Sequence, residues 1–209
     1  MPKLGLIVAM RAEVPPILKA AAGVDRIGNN TVKVAVSGIG LQRARHTTQQ
    51  VCGGSLGFYP DMLVSLGFCG AVRHDLNIGQ LIIADRLSYG DQEIELENPA
   101  IEKIRAFLAG TNFREGKLQS FKWPVWSRSK VSEDAIAVDM ESFAVAQTAA
   151  KYRMPALIIK AVSDVVPEHV SLVHLLTLFR TLKSNTQKAR TRLGEFVNIL
   201  LNGPREYFK

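Results

Sequence analysis

The chain has 209 residues with a formal net charge of +7, 47% hydrophobic and 22% charged residues. This suits one globular domain with a real core, spanning residues 1–209. No stretch reaches the ~20 apolar residues a bilayer span needs, and the apolar run after Met1 is too short for a signal peptide. The excess of basic residues favours anionic partners only weakly. It is spread along the chain until the C-terminal region, so no nucleic-acid-binding arm is evident. Cys52 and Cys69 form neither a CxxC pair nor a metal-type cluster, which points to reduced thiols in a cytoplasmic protein.

In chain order, Lys3 to Ala9 reads as a buried strand. Pro15 and Pro16 are tolerated only in the first turn of a helix, so a helix is expected to begin near Ala12. Thr31 to Ser37 is a second strand, and Ser37-Gly38-Ile39-Gly40 opens a helix running to about Cys52, closed by Gly53 and Gly54. Met62 to Leu66 is a third strand, expected to run into a turn at Gly67-Phe68-Cys69-Gly70, and Gly79 to Asp85 a fourth. Apolar strands that end repeatedly in glycine turns argue for a mostly parallel sheet with helices on both faces.

Residues 88–132 are expected to hold polar turns, a helix near Ile101 to Leu108, a short strand near Lys117 to Phe121 and an exposed loop containing Trp123-Pro124-Val125-Trp126. An acid–helix–strand–acid unit follows. Asp139-Met140-Glu141-Ser142 leads into an Ala-rich helix, and the strand Ala156 to Ser163 delivers Asp164 just past its end. That is where an open α/β sheet places its chemistry, although an Asp after a strand also suits a helix N-cap. From Val170 to about Leu201, leucines recur at helical spacing and basic residues cluster. This fits either a helix covering the sheet or a basic amphipathic helix at a membrane surface.

Gly5-Leu6-Ile7-Val8-Ala9-Met10 with Glu13, then Ser37-Gly38-Ile39-Gly40, Val138-Asp139-Met140-Glu141 and Ala161-Val162-Ser163-Asp164 stand in an order and spacing that resembles the nucleoside phosphorylase and nucleosidase superfamily. The branch most resembled is the methylthioadenosine/S-adenosylhomocysteine nucleosidases. The Asp-Met-Glu-Ser form of the third motif resembles hopanoid-associated phosphorylases.

The resemblance implies a three-layer α/β/α sandwich around a mixed, mostly parallel, partly closed sheet. It implies an enzyme that cleaves the N-glycosidic bond of a 5′-substituted purine nucleoside, acting as at least a homodimer. No metal or organic cofactor is implied; inorganic phosphate is a co-substrate if the enzyme is a phosphorylase.

By the same resemblance, Asp164 protonates or hydrogen-bonds N7 of the leaving purine, and Glu13 helps to activate water. Glu141 holds the ribose hydroxyls and Met140 packs on the sugar. Ser163, Met10, Ile39, Phe68, Cys69, Gly70 and Trp123 complete the substrate site, with Phe121 and Val125 as further candidates to stack on the base. If the enzyme is a phosphorylase, Gly38 and Arg43 are the candidates to hold phosphate, because Ser37-Gly38-Ile39-Gly40 opens a helix and Arg43 lies nearby in sequence.

The chain departs from the family at Arg11, at Phe68, where a small hydroxyl residue is usual, and at Lys160, where Arg is more frequent. Its middle segment is also short. These departures leave open a phosphate-dependent enzyme and a catalytically weakened nucleoside-binding protein.

Overall fold

A computed structural model describes residues 2–18, 24–27, 30–96, 102, 113–169 and 171–202. The nine described strands are β1 (Lys3–Val8), β2 (Val24–Ile27), β3 (Asn30–Val36), β4 (Met62–Ala71), β5 (Leu81–Tyr89), β6 (Gln92–Glu95), β7 (Phe113–Ser120), β8 (Ala135–Asp139) and β9 (Ala156–Val165). The α-helices with both ends among the described residues are α1 (Leu41–Cys52), α2 (Ser142–Lys151) and α3 (Leu172–Asn202). The helix expected near Ile101 to Leu108 lies outside the described residues, apart from Glu102.

All nine strands belong to one sheet. Five pairings are parallel and four antiparallel. Strand β9 pairs with both β4 and β5, so β4, β8, β7, β5 and β9 close into a ring, with β1, β3 and β2 extending from β4. This is the expected mixed, partly closed sheet.

The apolar strands alternate between two cores. Leu4, Leu6, Val64, Leu66, Leu157 and Ile159 face α3, which contributes Ala189, Leu193, Phe196, Val197 and Leu200. Ile7, Leu63, Ile82, Ile158 and Val162 face α1 and α2, which contribute Ala44, Val51, Phe143, Ala144 and Ala149. Strands buried on both faces need no polar alternation, which is why they read as continuous apolar runs. Among the described residues, no helix is long and apolar enough to cross a membrane.

Four local expectations are corrected. The segment after β1 is not an extended helix from Ala12 but two short 3-10 turns, Arg11–Glu13 and Pro16–Leu18. Val14 is extended (φ −68°, ψ 114°), as a residue preceding proline prefers. Gly67 to Gly70 is no turn; it lies inside β4, where pairing with β9 continues through Phe68↔Ala161 and Cys69↔Val162. Asp164 lies within β9 rather than beyond it. The polar stretch after Asp85 continues β5 and folds back as β6, forming a hairpin around Asp91.

Phe196 is one of the largest fully buried side chains and ties α3 to the sheet. Phe196→Ala is expected to destabilise the protein by about 3–5 kcal/mol through lost transfer energy and a residual cavity. Urea unfolding followed by circular dichroism checks this: the midpoint should fall at an unchanged slope.

Candidate active site

The site is cut into the sheet itself. Two strands share one edge of β4. Strand β1 pairs with it as far as Val8↔Leu66, and β8 resumes at Gly70↔Val138. Between them the edge of β4 at Gly67, Phe68 and Cys69 has no strand beside it. A backbone N–H left there without a partner is costly when buried.

Glu13 fills the gap. Its Oε1 accepts from the Phe68 N–H at 3.1 Å, and Oε2 accepts from the N–H groups of Ala9 at 2.8 Å and Met10 at 2.9 Å. The 3-10 turn after β1 brings this carboxylate back to where β1 stops. Glu13 is only 3% exposed. Burial raises its pKa, against the opposing pull of Lys160 and the three N–H donors.

Lys160 lies on β9 opposite Gly67 and is 2% exposed. Its ammonium is 3.1 Å from Asp139 Oδ2. Burial alone would lower its pKa. The charges of Asp139, Glu141 and Glu13 outweigh that and hold it raised, so the amine stays protonated. Gly67 permits this approach: a Cβ there would sit 3.0 Å from Glu13 Oε1 and 3.1 Å from Lys160 Nζ.

Asp139 ends β8 and organises the start of α2. Its Oδ1 accepts from the Ser120 hydroxyl at 2.6 Å, and its Oδ2 accepts from the backbone N–H and hydroxyl of Ser142. Ser120 Oγ in turn accepts from the Phe143 N–H at 3.0 Å. Two residues on, Glu141 Oε1 accepts from the N–H of Gly40, the residue that opens α1. Burial pushes the Glu141 pKa up to about 7, with Lys160 opposing and Asp139 and Glu13 adding to the rise.

Asp164 is presented by a β-bulge. Cys69 pairs with Val162 and Gly70 with Asp164, so Ser163 is the extra residue. Bulges of this kind re-aim side chains. The Ser163 hydroxyl donates to Asp164 Oδ1 at 2.7 Å, with the Cys69 carbonyl a longer alternative at 3.3 Å. Gly70 leaves room for the acid, since a Cβ there would lie 3.1 Å from Asp164 Oδ2.

These groups surround a cavity of about 350 Å³, at the lower end of the range for small-molecule sites. Met10, Glu13, Ile39, Phe68, Cys69, Gly70, Trp123, Met140, Glu141, Ser163 and Asp164 all line it. Every residue assigned to catalysis or nucleoside binding from the sequence is therefore brought to one place. Of the alternative stacking residues, Val125 lines the cavity too. Phe121 packs instead in a small cluster with Val72, Val138 and Val166.

Phe68 is shared between the cavity lining and the core. Its ring packs partly against the core that faces α3, and its N–H is the donor that Glu13 needs. The Cys69 thiol is fully buried; burial and the neighbouring Asp164 push its pKa well up, leaving it neutral.

Gly38 and Arg43 are not among the lining residues. Gly38 has φ +84°, and the exposed Arg43 side chain lies against it, outside the cavity. Among the described residues, no group of three or more His, Cys, Asp or Glu is placed to hold a metal ion.

Sequence reasoning missed Asp139, Ser120 and the outer wall formed by Pro124, Trp126, Val165, Val166, Pro167 and Leu182. One signal was available. A lysine inside the run Leu157-Ile158-Ile159-Lys160-Ala161-Val162 must find buried acids.

Comparison with known proteins agrees with this architecture. The family model described as the phosphorylase superfamily matches residues 3–129 and 106–202. The chain is 26% identical over 229 aligned positions to the 5′-methylthioadenosine/S-adenosylhomocysteine nucleosidase of Staphylococcus aureus, covering 92% of this chain and 99% of that protein. Among solved structures, the 5′-methylthioadenosine/S-adenosylhomocysteine nucleosidase of S. pneumoniae with a transition-state inhibitor aligns with a TM-score of 0.76 at 21% identity, covering 95% and 99% of the two chains. Futalosine hydrolase of Helicobacter pylori aligns with a TM-score of 0.76 at 22% identity, covering 94% and 97%. With the family model spanning nearly all of it and the same fold found in these structures, the chain belongs to the phosphorylase superfamily.

Proposed function

We propose that the protein hydrolyses the N-glycosidic bond of a 5′-substituted purine nucleoside, as 5′-methylthioadenosine/S-adenosylhomocysteine nucleosidases do. The observation that carries water rather than phosphate as the nucleophile is the charge of the cavity. Its described lining holds four acids (Glu13, Asp139, Glu141 and Asp164) and neither Arg nor Lys. The buried cation beneath, Lys160, is already committed to the acids around it. A phosphate dianion needs Arg, Lys or converging N–H groups to offset its charge, and whichever of these acids is ionised would repel it.

The residues divide the reaction between them. As the C1′–N9 bond lengthens, the sugar becomes cationic and the base gains electrons. Asp164 donates a proton to N7 and so offsets that charge in the transition state. Glu13 accepts a proton from the attacking water as oxygen bonds to C1′. The products are the free purine and the 5-substituted ribose. Glu141, with one oxygen on the Gly40 N–H, offers remaining lone pairs to the ribose hydroxyls. The carboxylates also favour the cationic sugar.

Nucleophile and acid are tested together. With methylthioadenosine as substrate, adenine release is expected without phosphate and no faster with it. Asp164→Asn should lower kcat by about 10²- to 10⁴-fold. Strict phosphate dependence would overturn the hydrolytic reading, and near-full activity of the variant would overturn the role of Asp164.

Glu141 generates a prediction in pH. It serves the ribose best when ionised, so kcat/KM is expected to rise with pH through about 7. Stability should run the other way. A carboxyl whose folded pKa is raised binds its proton more tightly in the native state, so its contribution is complete below the unfolded value near 4.5 and is lost as pH rises through about 7. Urea midpoints measured across this window should decline in the wild type, and Glu141→Gln should flatten the decline.

We further propose a homodimer or larger homo-oligomer. The cavity mouth leaves Trp123 70% exposed, with Trp126, Ile39 and Leu182 also open to solvent, an apolar rim of the kind that a second copy covers. Light scattering at micromolar concentration should give at least twice the mass of one chain; a monomer would rule this out.

A further inference from the structure

We propose that Arg128 is a positioning residue. It clamps the tryptophan-bearing wall of the cavity onto the segment that follows Asp164, and so sets how tightly the substrate's base is held. The inference rests on the proposed nucleoside site for its ligand and on observed contacts for the clamp.

The loop after β7 carries Trp123 to Trp126 along one side of the cavity, and Val165 to Pro167 continue from Asp164 along another. Neither segment is held to the other by strand pairing. The polar part of the join is made by Arg128 and its neighbour. Arg128 Nε donates to the Val166 carbonyl at 2.7 Å, the Arg128 backbone N–H donates to the Pro167 carbonyl at 3.0 Å, and the Ser127 hydroxyl donates to the Glu168 carbonyl at 2.7 Å. Three consecutive carbonyls are thereby taken up by two consecutive residues.

Arg128 Nη1 is also 3.0 Å from His74 Nε2 and can donate to it when that nitrogen carries no proton; the same nitrogen lies 3.4 Å from Glu168 Oε1. Beneath the join, Val125 and Val131 pack with Val166, Val138 and Val72 in a cluster separate from both main cores. A charged donor on a carbonyl is stronger than a neutral one. The flat Arg fork can serve Val166 and His74 at once, which a lysine ammonium on a flexible stem does poorly.

The chain offers its own probe, because its two tryptophans are Trp123 and Trp126. Wild type, Arg128→Ala, Arg128→Lys and, as a control in the same loop, Lys130→Ala would be compared as full chains. Without ligand, acrylamide quenching of tryptophan emission is expected to steepen about 1.5-fold in Arg128→Ala, less in Arg128→Lys, and not in Lys130→Ala.

With methylthioadenosine, KM should rise about 10-fold or more in Arg128→Ala, with kcat changing by less than about threefold. A loosened wall loses binding shared by ground and transition states, which raises KM and leaves kcat nearly unchanged. Wild-type quenching and KM in Arg128→Ala would overturn the clamp. If that variant does not fold, the same two readouts on Arg128→Lys decide. If the wild type neither binds nor cleaves methylthioadenosine, the proposed function fails while the quenching series still decides the clamp.

Discussion

One buried ammonium group holds the site together. Lys160 is sunk in the middle of β9, in contact with Asp139 and under the charge of Glu13 and Glu141. Removing such a charge from water costs several kcal/mol, and a buried carboxylate costs a similar amount, so neither is tolerable without the other. The cluster joins three parts of the chain that are distant in sequence: the turn after β1, the junction of β8 and α2, and the centre of β9. The net stabilisation from such a cluster is small, yet losing one member typically costs about 3–5 kcal/mol because its partners stay buried. The position of each acid is therefore strongly determined.

The second constraint is geometric. Two strands share one edge of β4 and leave a gap between them, and a closed ring of five strands keeps that gap from collapsing. Around the gap, each polar group of the site is held by the backbone of another element. Glu13 takes the N–H of Phe68, Glu141 takes the N–H of Gly40, and Asp139 takes that of Ser142. The bulge at Ser163 turns Asp164 toward the same space. The acids are thus held in place before any substrate arrives, which is what electrostatic catalysis requires.

Much of this was legible in the sequence. The strands announce themselves because both of their faces are buried, and two of the acids because Glu141 and Asp164 flank a helix and a strand in order. What was hidden has physical reasons. Gly67 to Gly70 reads as a turn because two glycines punctuate it, yet here they make room for Glu13, Lys160 and Asp164 within a strand. A bulge leaves no compositional trace, so Asp164 reads as lying past its strand. Ser120 is an ordinary serine at the end of a strand, and only the tertiary approach of β8 gives its hydroxyl Asp139 to bind. The role of Glu13 as a partner to β4 depends on contacts 55 residues apart, beyond any local pattern.

The place of Glu13 at the break in the sheet has a consequence for how lineages of this architecture diverge. A descendant that no longer turns over substrate would still need a carboxylate to satisfy the exposed edge of β4 and to face Lys160. Selection for folding alone would then preserve one of the most conspicuous acids of the site. Its presence in a distant relative is a mark of shared architecture, and inheritance of Glu13 by itself does not separate a working enzyme from a silent one.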